Sequence, residues 1–209
     1  ILYRGKLFQV ISMSRRAKLT VDGREITKEL TVELVRRPPG VRAIIRDGQK
    51  LLLNREFRYE LNDWDYRLPG GKVFDRLEDF EKAIEENTID ENAYRKLAEE
   101  VREEADIEAE DYGLFEVSGC GLTVEWNLYY FTVDKFKILT SFYAKEKQKS
   151  EYEYIEHVWL DFAQIKQLIL DGRIREDRSI AILFKYMMKA DGRAKGEAQA
   201  GGVRQAEEE

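Results

Sequence analysis

From Asn92 to Ala105, at about 100° per residue, Tyr94, Leu97, Ala98, Val101 and Ala105 fall on one stripe of a helix and Glu100, Glu103 and Glu104 on the arc beside it. A helix divided in this way has to lie half sunk in an apolar core with a carboxylate edge left open. The rest of the chain must therefore supply a surface to pack it on. With 43% of its 209 residues hydrophobic, the chain can build one sizeable core. Like charges three and four residues apart repel, costing about a few tenths of a kcal/mol per pair. Two readings of this face stand. It is a solvated acidic surface relieved by salt bridges from Arg95 and Arg102, or it is a seat for a divalent cation, which would turn the repulsion into attraction. Carboxylates without imidazole or thiolate suit Mg²⁺ or Mn²⁺, hard ions that prefer oxygen ligands.

Composition removes several other classes. One cysteine, Cys120, excludes an intramolecular disulfide framework, and one histidine, His157, leaves neither a His-rich zinc site nor a Ser-His-Asp triad in prospect. Lys and Arg total 35 against 41 Asp and Glu, so a net charge of -6 offers no global footprint for a nucleic-acid backbone. No apolar stretch reaches the roughly 20 residues that span a bilayer. The chain reads as soluble and cytoplasmic.

Polar and apolar residues alternate through the first 35 positions, with Asp22-Gly23 as a turn, which predicts a small β meander. Arg36-Arg37-Pro38-Pro39-Gly40 breaks that pattern, because two prolines and a glycine cannot continue a ladder. A β-hairpin then runs from Val41 to Phe57 through Asp47-Gly48. A helix is expected over Arg76 to Glu86 through Leu77, Phe80, Ala83 and Ile84, followed by the stronger helix from Asn92 to Ala105. Further strands are predicted at Tyr112 to Val117, Glu125 to Val133 and Glu156 to Trp159. Asp161 with Gln164 forms a capping-box start for a helix ending before Asp171-Gly172, and Asp177 to Lys189 makes the last one. From Asp191 the composition turns to Gly, Ala and charge, as in a disordered tail.

Gly70-Gly71, then Glu91, seven residues, and Glu99-Glu100-Val101-Arg102-Glu103-Glu104-Ala105-Asp106-Ile107 resemble the Nudix box. That box reads Gly, five residues, Glu, seven residues, Arg-Glu-aliphatic-x-Glu-Glu-x-Gly-aliphatic. Three departures stand out. The five-residue gap becomes nineteen, from Lys72 to Asp90. Glu99 holds the Arg position, so the cation that positions the neighbouring glutamate is sought at Arg95 or Arg102. Asp106 holds the terminal Gly position, where a left-handed backbone is needed that Asp enters less easily than Gly. A second register, Arg95-Lys96-Leu97-Ala98-Glu99-Glu100, restores the Arg but loses the seven-residue spacing, and the first is preferred.

The resemblance implies an α+β Nudix fold, an α/β/α sandwich with a mixed sheet between helices. Glu100, Glu103 and Glu104 then become both catalytic residues and the ligands of Mg²⁺, with Mn²⁺ as the substitute. Arg58 after Leu51 to Phe57, together with Trp64 and Leu68-Pro69-Gly70-Gly71, is similar to the ADP-ribose pyrophosphatase branch. Glu56 stands there in place of a Gln. Gly119-Cys120-Gly121-Leu122-Thr123-Val124-Glu125 resembles the substrate loop of the same branch, with Cys120 where proline is usual.

That likeness marks Arg58, Arg37, Gly71, Gly121, Thr123 and Glu125 as substrate-binding residues, and Phe57, Tyr59 and Trp126 as surfaces for a base. It places the general base at Glu151 or Glu153. The implied domains are an N-terminal β subdomain, 1–37, that makes a homodimer and sends Arg36 and Arg37 toward a neighbouring site; a hydrolase domain, 38–190, with an insertion at about 72–90; and a tail, 191–209. The implied reaction is hydrolysis of ADP-ribose to AMP and ribose 5-phosphate, by water attack on phosphorus. UDP-sugars and dinucleoside polyphosphates are the alternative substrates. The alternative function is a nucleotide-sensing or protein-binding module without hydrolysis, which Glu99 and Asp106 favour and the three retained glutamates oppose.

Overall fold

The computed structural model describes residues 1–139 and 154–190. The chain gathers into two compact units, residues 1–44 with 69–139 and residues 45–68 with 154–190. Strands and helices mix in both.

The first unit opens with β1 (Tyr3–Arg4), β2 (Gln9–Val21) and β3 (Arg24–Arg36). β2 and β3 form a long antiparallel ribbon closed by Asp22-Gly23, both at positive φ, the geometry that a two-residue hairpin turn requires. The 2.0-residue period of a strand puts Ile11, Met13, Ala17, Leu19 and Val21 on one face, with Leu34, Val32, Leu30 and Ile26 across from them on that same face. Ile11 and Leu34 are buried, while Leu19, Val21, Ile26 and Leu30 are exposed. β1 pairs antiparallel with β2, so the expected meander is present as β1, β2 and β3 in consecutive order, and the long β2–β3 ribbon leaves bare a largely apolar side that also carries Arg15, Arg24 and Lys28. A short strand, β9 (Val124–Glu125), joins the outer edge in parallel at Val35 and Arg36.

Strand β4 (Gly40–Asp47) starts in this unit and ends in the second. Val41 through Ile45 are all buried, as expected of a strand covered on both faces. Beside it in the first unit the order continues through β10 (Leu128–Val133) to β8 (Gly113–Ser118). The single strand expected over Glu125 to Val133 is therefore two, split at Trp126 and Asn127, where the Asn127 carbonyl accepts from the Gly40 amide and turns the chain from one sheet to another. β7 (Ile107–Ala109) and β11 (Phe136–Ile138) make a separate pair.

The inserted segment forms α1 (Leu77–Glu85), with Leu77 and Ala83 buried. It is fastened to the N-terminal strands. The Arg4 guanidinium spans Glu81 at 2.7 Å and Glu78 at 3.3 Å, Gln9 donates to Glu81, and the Leu77 amide donates to the Lys6 carbonyl. The hydrogen bond from Arg4 holds the Glu81 carboxyl below the usual carboxylate range. α2 (Ile89–Ala105) follows, starting before the predicted Asn92 because Asp90 and Glu91 in its first turn complement the positive end of the helix dipole.

In the second unit, β4 turns through Gly48 into β5 (Lys50–Arg58), which is flanked by β6 (Asp63–Arg67) and β12 (Ile155–Asp161). Leu51, Leu52 and Leu53 are buried with Ile165, Ile182 and Leu183. The capping box is present as read. Asp161 accepts from the Gln164 amide at 2.8 Å and Gln164 accepts from the Asp161 amide at 2.9 Å, starting α3 (Phe162–Leu170). A last helix, α4, covers 177–190.

Candidate active site

The site is assembled where residues 69–71 run along β4. The Ala43 amide donates to the Pro69 carbonyl at 2.8 Å and the Val41 amide to the Gly71 carbonyl at 2.9 Å. This pairing brings the backbone so close that side chains are excluded. Gly70 sits at φ 144°, and a Cβ there would meet the Val41 carbonyl oxygen at 2.1 Å. A Cβ on Gly71 would stand 2.2 Å from Oε1 of Glu100. The Gly70 amide in turn donates to Oε2 of Glu104 at 2.8 Å. Two glycines thus bind a loop to β4 on one side and to two carboxylates of α2 on the other.

Helix α2 is held in place by its apolar stripe. Ala93, Leu97, Val101 and Ala105 are buried, and the Tyr94 ring meets Phe131 of β10 edge-on at 4.8 Å. Tyr129 of β10 bonds Asp90 in the first turn of the helix; burial, then the charge and hydrogen bond of Asp90, push its hydroxyl up to about 12. At the other end Asp106 adopts φ 50°, ψ 41° and its amide donates to the Val101 carbonyl. The left-handed cap falls on the position where the signature carries Gly, which fits the preferred register. A non-glycine residue there is a small local strain, eased by the tolerance of Asp for this region.

Of the three carboxylates, Glu100 is buried at 8% exposure, Glu104 is half-buried and Glu103 is exposed. The cation beside them is not one of the expected arginines. Arg95 donates to Asn92 and Arg102 pairs with Glu108. Lys96 takes that place, its Nζ 3.0 Å from Oε1 of Glu100 and 3.4 Å from Oε2 of Glu99. Burial works against the Lys96 ammonium, but the hydrogen bond and charge of Glu100, with those of Glu99, outweigh it and raise its pKa. Four-residue spacing on a helix was the available signal for this pair.

The donor chemistry of this face fits a hard divalent cation. Glu100, Glu103 and Glu104 offer carboxylate oxygens only, and Gly71 keeps Cβ bulk away from Glu100. Among the described residues no three acidic, His or Cys side chains are already grouped tightly enough to hold a metal.

A second cluster in the same unit collects other residues singled out in the sequence. The parallel pairing of β3 with β9 sets Arg36 against Glu125, and their side chains form an ion pair. The Thr123 carbonyl accepts from the Val35 amide, and the Glu125 carbonyl from the Arg37 amide. The Arg37 guanidinium lies 4.1 Å over the Trp126 ring, a cation–π contact. Gly121 turns the exposed loop ahead of them at φ 75°.

In the second unit Arg58 is held by Glu56 at 2.8 Å and Glu60 at 3.1 Å; burial opposes its charge, yet these partners raise its pKa. Phe57 packs edge-on against both Tyr59 and Trp64, and Arg55 lies over Trp64. Glu151 and Glu153 lie outside the described residues. Cys120 is half-buried and His157 is exposed.

A model of the NUDIX domain matches residues 36–181. The chain belongs to the Nudix family. Its α+β fold is also similar to that in the crystal structure of an ADP compounds hydrolase, with a TM-score of 0.59 over 91% of this chain and 90% of that one, at 17% sequence identity. No curated protein matches this chain in sequence. Nudix hydrolases generally use divalent metal ions, in keeping with the oxygen-only donors on α2. No described helix is long and apolar enough to cross a membrane.

The glycine contacts set a direct expectation for stability. Gly70→Ala should lower the unfolding free energy by at least ~3 kcal/mol, because both the positive φ and a backbone clash must be relieved. Urea denaturation of the variant checks this, and a loss under ~1 kcal/mol would show that the close approach to β4 is soft.

Proposed function

We propose that the chain is a divalent-metal-dependent hydrolase of a nucleoside diphosphate linked to another moiety, with ADP-ribose the first substrate and AMP and ribose 5-phosphate its products. The observation that carries this reading is the contact of Gly70 and Gly71 with Glu104 and Glu100, on a helix that lies inside the residues matched by the family model. The similarity to an ADP compounds hydrolase supports the choice of an adenine diphosphate.

Glu100, Glu103 and Glu104 would hold Mg²⁺, or Mn²⁺ in its place. A metal bound there would supply charge neutralisation for the diphosphate, polarisation of the bond to be broken and a more acidic water. The chain's own residues supply the remaining functions. The Gly70 amide fixes the orientation of Glu104, and packing against Gly71 fixes that of Glu100. A carboxylate from Glu151 or Glu153 takes the proton from water as it attacks phosphorus. Arg37, kept over Trp126, offers guanidinium donors to a phosphate or a flat surface to a base, beside Thr123 and Glu125. Arg58 is the other arginine proposed for phosphate, and it would have to exchange Glu56 or Glu60 for that anion.

The alternative, a sensing module without hydrolysis, draws on Glu99 and Asp106 at signature positions. Both departures have local substitutes, the Lys96 ammonium for the missing guanidinium and a left-handed Asp106 for the missing glycine, and this weighs toward catalysis. Release of monophosphate from ADP-ribose, ADP-glucose, UDP-glucose and diadenosine polyphosphates, with and without Mg²⁺, tests the reading. Turnover of ADP-ribose should need the metal, and Glu103→Gln should reduce it at least ~100-fold. Exposed Glu103 should contribute less than about 0.5 kcal/mol to stability, so the variant stays folded. Turnover unaffected by Glu103→Gln would reject the metal assignment, and a silent panel would favour the sensing module.

Residues 1–37 are proposed as a dimerisation subdomain. The family match begins at residue 36, leaving β1 and β2 outside it, and the ribbon presents Leu19, Val21, Ile26 and Leu30 exposed on one face. A two-stranded ribbon is marginal in water unless such a face is covered, and a second copy offers the same face. Light scattering should give a dimer for the native chain and a monomer for Leu19→Glu/Leu30→Glu. A dimer that survives both charges would place the interface elsewhere.

A further inference from the structure

We infer that Lys96 is a positioning residue for Glu100, doing from the preceding helical turn what the signature assigns to an arginine at position 99. The inference deepens the proposed function and rests on it. Three observations carry it. Glu99 occupies the arginine position and is itself an anion 3.4 Å from the Lys96 ammonium. Arg95 and Arg102, the other nearby cations on α2, are directed to Asn92 and Glu108. Glu100 is nearly buried, backed by Gly71 on one side and held 3.0 Å from Lys96 on the other.

A carboxylate so placed needs a cation, since an uncompensated buried charge is strongly destabilising. Residues four apart lie one above the other on a helix, so a lysine at 96 reaches Glu100 without strain. The two cations differ in what they leave available. A guanidinium can take both oxygens of a carboxylate in its planar fork, whereas an ammonium is a compact point donor that can hold Oε1 while leaving Oε2 for a metal. Glu99 then ceases to be a defect. It is a second acceptor that keeps Lys96 folded back along the helix.

The test compares the native chain with Lys96→Met and Lys96→Met/Glu99→Arg, reading ADP-ribose hydrolysis, Mn²⁺ affinity by electron paramagnetic resonance without substrate, and folding by circular dichroism. Lys96→Met should lower kcat about tenfold or more, with KM changed less than about threefold, and weaken Mn²⁺ binding by a similar factor. Restoring a cation at position 99 should recover both to within about threefold of the native values. A purely structural salt bridge would show in folding and leave the Mn²⁺ affinity of the folded protein unmoved.

Native kcat and native Mn²⁺ affinity in folded Lys96→Met would overturn the inference. So would tighter Mn²⁺ binding, which would make Lys96 a competitor of the ion, or a loss that Glu99→Arg does not recover. If Lys96→Met does not fold, Lys96→Gln takes its place in the same three readouts: folded protein with lowered kcat and weakened Mn²⁺ binding supports the role, and folded protein with native values for both rejects it. A native chain that neither hydrolyses nor binds Mn²⁺ brings down the proposed function and this inference with it. A native chain that does both, matched by Lys96→Met, brings down the lysine alone.

Discussion

The acidic face of α2 is shaped by how closely the backbone at residues 69–71 approaches it. With hydrogen bonds to Ala43 and Val41 on one side and contacts to Glu104 and Glu100 on the other, the loop is confined between β4 and the helix. No side chain fits at either glycine: the space that a β-carbon would fill holds the Val41 carbonyl at Gly70 and the Glu100 carboxylate at Gly71. The same confinement orients those carboxylates. One receives a backbone N–H and the other rests against a Cα, which leaves fewer rotamers for each to search.

Charge has to be managed within that confinement. Glu99, Glu100, Glu103 and Glu104 crowd two turns of helix, and Glu100 is nearly buried among them. Lys96 relieves the most buried member, while Glu103 stays in solvent where its charge is well screened. A face that retains this much like charge next to a core is poorly explained by stability alone. A divalent cation seated there, as proposed, would offset that repulsion.

Much of the fold was legible because the deciding signals are local. Asp161 and Gln164 announced their helix through a reciprocal cap, and Asp47-Gly48 announced a hairpin through turn chemistry. The apolar stripe from Tyr94 to Ala105 identified the carboxylate helix, although the favourable first-turn acids Asp90 and Glu91 started it earlier than periodicity suggested. What local signals could not show was where the chain changes sheets. Residues 124–133 are β-prone apart from Glu125 and Asn127, and the run breaks at Trp126 and Asn127 because Gly40 and β3 claim the two halves separately. The site divides in the same way. Glu100, Glu104 and Gly71 could be read from spacing, and the structure brings them together. The meeting of Arg37 with Trp126 and Glu125 depends on a parallel pairing between distant segments that spacing does not encode. Lys96 is not marked by the signature, which carries an arginine at another position, yet an ammonium one turn from Glu100 satisfies the same physical need.

The most direct test is to titrate the isotopically labelled chain with Mn²⁺ and record paramagnetic broadening of its backbone amide resonances. If the α2 carboxylates and the 69–71 loop are the metal centre, amides of Gly70, Gly71, Glu100, Glu103 and Glu104 should broaden first, at Mn²⁺ concentrations that leave exposed acids such as Glu29 and Glu110 sharp. Broadening that begins elsewhere, or that spreads evenly over all exposed carboxylates, would contradict it.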